Sequence, residues 1–223
     1  QREFLRELYK VNRNIVLVVV AGSNLALNWE DDNLPAIVDA WYGGESGGRA
    51  VAEVLFGDYN PGGRLPLTFY RSLEDLPAFD DYDITKGRTY KYFTGDVVYP
   101  FGHGLSYSTF RYDNLRVEDA GDSVLVSFDL SNTGCYDGDE VAQVYMRMPE
   151  YGCAIVLLKE LKGFRRVSVA RGKRERVAIA VPKSSLRYCD ETTGGFVTVP
   201  AGLYDVFVGS SSADIRLQTA IML

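Results

Sequence analysis

The sequence predicts an α/β fragment, a partial, open and mostly parallel sheet, followed by an all-β sandwich. Three observations predict it. The run Ile15-Val16-Leu17-Val18-Val19-Val20 is apolar without alternation, the pattern of a strand covered on both faces, as in a parallel sheet. The glycine-rich stretch Gly43-Gly44-Glu45-Ser46-Gly47-Gly48 separates a second strand-like run from a helical one. From Phe110 onward short alternating runs recur between turn signals, with no helical period, which suggests about seven strands in roughly 100 residues.

The elements follow in order. Arg2 to Asn12 places Phe4, Leu5, Leu8, Tyr9 and Val11 on one helical stripe. The β-branched run is the first strand, and Pro35 to Tyr42 is the second. Arg49 to Phe56 is helical and is stopped by Gly57 to Gly63. Leu65 to Phe69 reads as a third short strand. So few strands fall short of the five or six of an ordinary doubly wound sheet. The reading is therefore of a sheet that continues elsewhere, upstream or under a partner, since an apolar edge left bare invites aggregation. Between 71 and 109 both periods fade and aromatics accumulate, as in an ordered connector. The sandwich spans 110–223, with runs at Val124 to Leu130, Val141 to Met148, Val177 to Val181 and Leu203 to Val208. Its turns are Asn132-Thr133-Gly134, Asp137-Gly138-Asp139, Ala170 to Lys173 and Pro200-Ala201-Gly202.

Composition narrows the function. Apolar residues make up 46% of the chain, enough for a sizeable core, and the net charge is -6. An acidic surface argues against nucleic acid and against an anionic membrane face. The longest apolar run, Ile15 to Ala21, is far below the ~18 residues of a membrane span. The chain opens on Gln1-Arg2-Glu3 with no signal peptide, which reads as the middle of a longer protein. Cys135, Cys153 and Cys189 lack metal-ligand spacing, and their odd number leaves at least one free thiol. Idle thiols are the first reading and a single disulfide the alternative.

Three motifs sharpen the picture. The first is PAIVDAWYGGESGGRAVAEVLFGDYNPGGRLPLTF, Pro35 to Phe69. The second is Gly87-Arg88-Thr89-Tyr90-Lys91-Tyr92-Phe93, followed by Tyr99-Pro100-Phe101-Gly102-His103-Gly104-Leu105-Ser106-Tyr107. The third is GDEVAQVYMR, Gly138 to Arg147, with Lys159 to Phe164 and Pro200 to Tyr204. In this order they resemble the C-terminal half of family 3 glycoside hydrolases, of β-xylosidase or β-glucosidase type, over nearly the whole chain.

The resemblance implies a domain order. A (β/α)8 barrel comes first, an α/β sandwich domain second and a fibronectin type III-like domain third. Residues 1–70 then end the second domain, 71–109 connect, and 110–223 form the third. It also implies an exo-acting, retaining enzyme that removes terminal xylose or glucose, without a cofactor, in a secreted or periplasmic setting. The partners it implies are the rest of the same enzyme and a small oligosaccharide. Retaining glycosidases need two carboxylates about 5 to 5.5 Å apart. In the family one is a barrel aspartate and the other a glutamate on a second-domain loop, both expected upstream of this chain. No catalytic residue is assigned here, and no metal ligand.

Local candidates are fewer. Glu45 stands where relatives often carry glutamine, in a strand-to-helix turn of the kind that borders ligands in open α/β sheets. An exposed acid favoured by the helix start is the plainer reading. Lys86, Arg88, Tyr90 and Tyr92 offer cations and aromatic faces that suit a sugar, or else they clamp the connector. Glu30, Asp31 and Asp32 read as a solvated loop, and His103, the one histidine, as structural. In the sandwich, Tyr136, Tyr145, Tyr151, Tyr188 and Tyr204 fall mostly at core-like alternating positions. The alternative function is a non-catalytic carbohydrate-binding or protein-interaction module.

Overall fold

The computed structural model describes residues 1–149, 157–190 and 194–223, without the side chains of 189 and 190. Tyr151 and Cys153 lie outside them, as does the Cys189 side chain. The fold is mostly strands with few helices. It divides into two bodies, each described by itself. The first comprises 1–59, 69–76 and 95–99, and the second 60–68, 77–94 and 100–223. The stretch 71–109 contributes to both.

In the first body, α1 (Arg2–Val11) leads into β1 (Val16–Val19), and α2 (Asn28–Asn33) joins it to β2 (Ala36–Asp39). β1 and β2 pair in parallel, Val16 with Ala36 through Val19 with Asp39. The expected two-sided burial is not met among the described residues: only Val19 of β1 is buried, and Val16 and Val20 are exposed. β2 stops at Asp39 rather than Tyr42, because Trp41 takes φ +51, which no strand accommodates. α3 (Gly47–Phe56) starts two residues before Arg49 and ends on Gly57 in the left-handed conformation, φ 82.

Two expectations fail here. The acidic cluster lies on α2 rather than in a loop, and although Asp31 and Asp32 are exposed as expected, Glu30 is not. Glu30 is buried, 3.8 Å from Arg2, and Asp31 accepts a hydrogen bond from the Tyr99 hydroxyl at 2.7 Å. Burial, and then Asp31, push the Tyr99 phenol far above its ordinary range. Leu65 to Phe69 is not a third strand. Pro66 removes a ladder donor, and only β3 (Phe69–Tyr70) pairs, antiparallel, with β4 (Val97–Tyr99).

The second body is a sandwich. One sheet has the order β5 (Phe110–Asp119), β6 (Ser123–Asn132), β9 (Arg174–Pro182). The other runs β13 (Ile215–Met222), β12 (Leu203–Gly209), β7 (Gly138–Arg147), β8 (Glu160–Val169). All these neighbours are antiparallel. A short hairpin, β10 (Arg187–Asp190) with β11 (Gly195–Thr198), stands beside them. Alternate residues fill the core: Val124, Val126, Phe128 and Leu130 from β6 meet Val144, Met146, Val206 and Val208 from the facing sheet.

β7 is buried on both faces, and the chain before the sandwich supplies the outer cover. Gln143 donates to the carbonyls of Gly102 (3.1 Å) and Ser210 (2.5 Å), and the Tyr145 hydroxyl donates to Gln143 Oε1. Gly102 has φ +83, and a Cβ there would meet Gln143 Oε1 at 2.2 Å, so both backbone angle and space demand glycine. Asn60 ties the chain down further. Its Nδ2 donates to Asp137 O, and its Oδ1 accepts from Ser106 Oγ and Tyr107 N. Beside it Arg64 forms a buried ion pair with Glu140 at 3.1 Å, and the Tyr112 hydroxyl donates to the same carboxylate oxygen.

Candidate functional site

The glycine-rich turn lies at the carboxyl end of β2. There the Asp39 carboxylate accepts from Trp41 N at 3.3 Å, and burial raises its pKa against that bond. Two close approaches shape the turn. A Cβ on Gly43 would meet Gly47 Cα at 2.8 Å, and one on Gly22, in the loop after β1, would meet the Tyr42 ring at 2.6 Å. The loops after both parallel strands therefore pack against each other at the edge where open α/β sheets place ligands. Glu45 stands exposed in that turn, two residues before α3, with Tyr42 also exposed. Chemically the edge offers one exposed carboxylate and one exposed aromatic ring.

The connector candidates have different surroundings. Arg88 Nη2 donates to the carbonyls of Pro77 (3.3 Å), Ala78 (2.9 Å) and Asp81 (2.8 Å). Lys86 pairs with Asp81 at 2.7 Å; the hydrogen bond and the charge of that carboxylate raise its pKa. Tyr90 stacks on Phe101 (4.3 Å, 18°), meets Tyr145 edge-on, and its hydroxyl accepts from Leu161 N at 3.0 Å. Burial raises both the Tyr90 and Tyr92 phenols. Within α4 (Thr89–Tyr92), Lys91 reaches Glu160, which Lys162 also holds. Burial works against the charge of Glu160, but the two lysines outweigh it and hold its carboxyl below the ordinary value.

The backbone of His103 is tied on both sides: its carbonyl accepts from Leu65 N, and its N–H donates to Pro100 O. In the sandwich Tyr145 and Tyr204 are buried and Tyr136 is exposed. Cys135 is an exposed free thiol. Two features escaped the sequence reading. One is the Arg64–Glu140–Tyr112 cluster, whose members are far apart in sequence. The other is a shallow polar groove on the β5–β6–β9 sheet, lined by Asn114, Leu115, Arg116, Asp129 and Arg176. Asn114 has φ +55 at a break in the β5–β6 register, a signal that only the backbone carries. Among the described residues no group of three or more His, Cys, Asp or Glu side chains is placed to hold a metal ion. No helix there is long and apolar enough to cross a membrane.

Residues 1–107 match the glycosyl hydrolase family 3 C-terminal domain, and 140–212 match a fibronectin type III-like domain. The chain belongs to glycoside hydrolase family 3. It is 44% identical, over 98% of its length, to a xylan 1,4-beta-xylosidase of Xylanibacter ruminicola. It is 32% identical over 97% to a periplasmic beta-glucosidase of Salmonella typhimurium. Among solved structures, a beta-glucosidase from Kluyveromyces marxianus superposes with TM-score 0.89 at 35% identity over 99% of this chain. The coverage is one-sided: this family 3 chain spans 25% and 30% of those two enzymes and 28% of that structure. It corresponds to a C-terminal segment of such family 3 enzymes.

Proposed function

We propose that the chain serves an exo-acting, retaining β-glycosidase that removes terminal β-linked xylose or glucose from oligosaccharides, and that the reacting carboxylates lie upstream. The observation that carries this reading is the 44% identity, across nearly the whole chain, to an enzyme named for xylan hydrolysis. In this reading β1 and β2 are the end of a larger, open and mostly parallel sheet, which the exposure of Val16 in β1 and of Val20 just after it supports. Residues 1–70 complete the α/β domain, 71–109 connect, and 110–223 are the terminal sandwich. Glu45, at the carboxyl edge of that sheet, is the residue of this chain proposed to face the sugar. Lys86, Arg88, Tyr90 and Tyr92 shape the connector and, through it, the rim. The enzyme acts outside the cytoplasm, secreted or periplasmic, as the Salmonella relative's name supports.

The test is hydrolysis of nitrophenyl β-xyloside and β-glucoside, by the full-length enzyme and by the 223-residue chain, with circular dichroism to verify folding. Turnover by the former and none by a folded form of the latter is expected. Turnover by the isolated chain overturns the placement of the carboxylates.

A further inference from the structure

Loop 77–86 combines two properties that rarely coincide. Its backbone is held from within. Besides the three carbonyls bonded by Arg88, Asp81 accepts from Asp83 N and from Lys86 Nζ. Asp83 accepts from Thr85 N and Oγ1, and Arg88 N donates to Ile84 O. Arg88 Nε is buried with no hydrogen-bond partner, an unfavourable arrangement accepted in fixing the loop. Yet the same loop leaves Phe79 96% and Tyr82 86% exposed, with Ile84 beside them half exposed. Flexible chain would fold such rings back onto apolar surface; this loop is braced so that they stay out.

We propose that loop 77–86 is a docking surface for the upstream part of the same polypeptide, with Phe79 and Tyr82 as its anchors. The proposal rests on the reading of this chain as part of a longer glycosidase. The occupant is argued from three observations. Enzymes that match 97–98% of this chain are three to four times its length, since it spans only 25–30% of them. The large apolar side chains exposed among the described residues fall mostly within 1–107, with Tyr136, Phe164, Phe196, Leu203 and Met222 the exceptions beyond it, so the bare surface is concentrated in that stretch. Finally, a phenylalanine without a polar tip and a neighbouring isoleucine suit an apolar protein pocket better than a sugar face, which wants an aromatic plane ringed by hydrogen-bonding groups. The polar connector residues, Lys86 and Arg88, thus build the platform, and the apolar ones make the contact.

The experiment uses the full-length enzyme carrying Phe79→Cys or, separately, Tyr82→Cys. Alkylation at that position is followed by peptide mass mapping, against glutathione as a free thiol. Labelling at least ten-fold slower than glutathione, a protection that urea abolishes, is expected at both positions. Labelling at the glutathione rate overturns the proposal. Protection that arises only on adding xylotetraose overturns it in favour of a sugar platform, and protection that grows with enzyme concentration overturns it in favour of a second copy. Because cysteine removes an anchor, Phe79→Ser/Tyr82→Ser is measured as well: a lowered Tm with unchanged KM is expected, and an unchanged Tm counts against docking. Nitrophenyl xyloside and glucoside turnover by the same unmodified enzyme reports separately whether the glycosidase reading stands.

Discussion

Glu140 and Arg64 show how much single residues decide. Their side chains are 5% and 8% exposed, so neither finds water if the other is removed. Breaking a buried pair from one side costs about 3–5 kcal/mol, whereas replacing both partners with apolar groups of similar volume is often near neutral. Arg64→Met alone should therefore lower the urea midpoint strongly, and Arg64→Met/Glu140→Leu should recover part of the loss; equal losses in both would refute the coupling. Glu45 is the opposite case, a carboxylate in open solvent. If it touches the substrate, Glu45→Gln in the full-length enzyme raises KM several-fold, about what one hydrogen bond of ~1 kcal/mol is worth, and leaves the fold intact. A KM within error of wild type would remove it from the site. Gly102→Ala should cost about 1 kcal/mol for its left-handed backbone alone, and more because the methyl meets Gln143.

At the scale of elements, β6 is the spine of its sheet. It pairs with β5 on one side and β9 on the other, and Val124, Val126, Phe128 and Leu130 are all fully buried. Phe128 also stacks on Tyr112 at 5.6 Å. Phe128→Ala should destabilise by about 3–5 kcal/mol, read as a shift in denaturation midpoint at constant m-value. α1 behaves differently. Its stripe of Phe4, Leu8 and Val11 is exposed, while Tyr9 meets Trp29 edge-on at 5.4 Å and Arg6 lies over the same Trp29 ring. Phe4→Ser should change the stability of the 223-residue chain by less than ~0.5 kcal/mol. The same change should cost clearly more in the full-length enzyme, where the stripe is expected to be covered.

The whole molecule adds a pH dependence. Glu160 is held by Lys162 at 2.6 Å and by Lys91, and its folded pKa lies below the ordinary glutamate value of 4.5. A carboxyl whose folded pKa is depressed contributes stability that is fully present above its unfolded pKa. That contribution is lost as pH falls through the folded value. The stability gap between wild type and Glu160→Gln should therefore be constant near neutrality and shrink below about pH 4.5, as urea melts at stepped pH will show. A gap that widens in acid would contradict the assignment. The distribution of apolar surface predicts one more behaviour. The isolated chain, bare along much of 1–107, should bind an apolar dye that the full-length enzyme binds weakly.

The sequence by itself determined the sandwich, because an alternating strand with one face inside announces its own burial: Phe128 and Val206 lie where their spacing puts them. It determined α1 and α3 almost to the residue, through a stripe and a stopping glycine, and it determined the family, through motifs long enough to be read in order. Tertiary structure decided the rest. Glu30 looked solvated because local charge density says nothing about an arginine 28 residues away, and Leu65 to Phe69 looked like a strand because an apolar run does not say where pairing starts, which here is only at Phe69–Tyr70 against Val97–Tyr99. Arg64 and Glu140, 76 residues apart, and the bracing by Arg88 of the loop that carries Phe79 were equally invisible. Periodicity records which side of an element is apolar; which distant polar group will satisfy a buried charge or carbonyl is fixed only when the chain closes on itself.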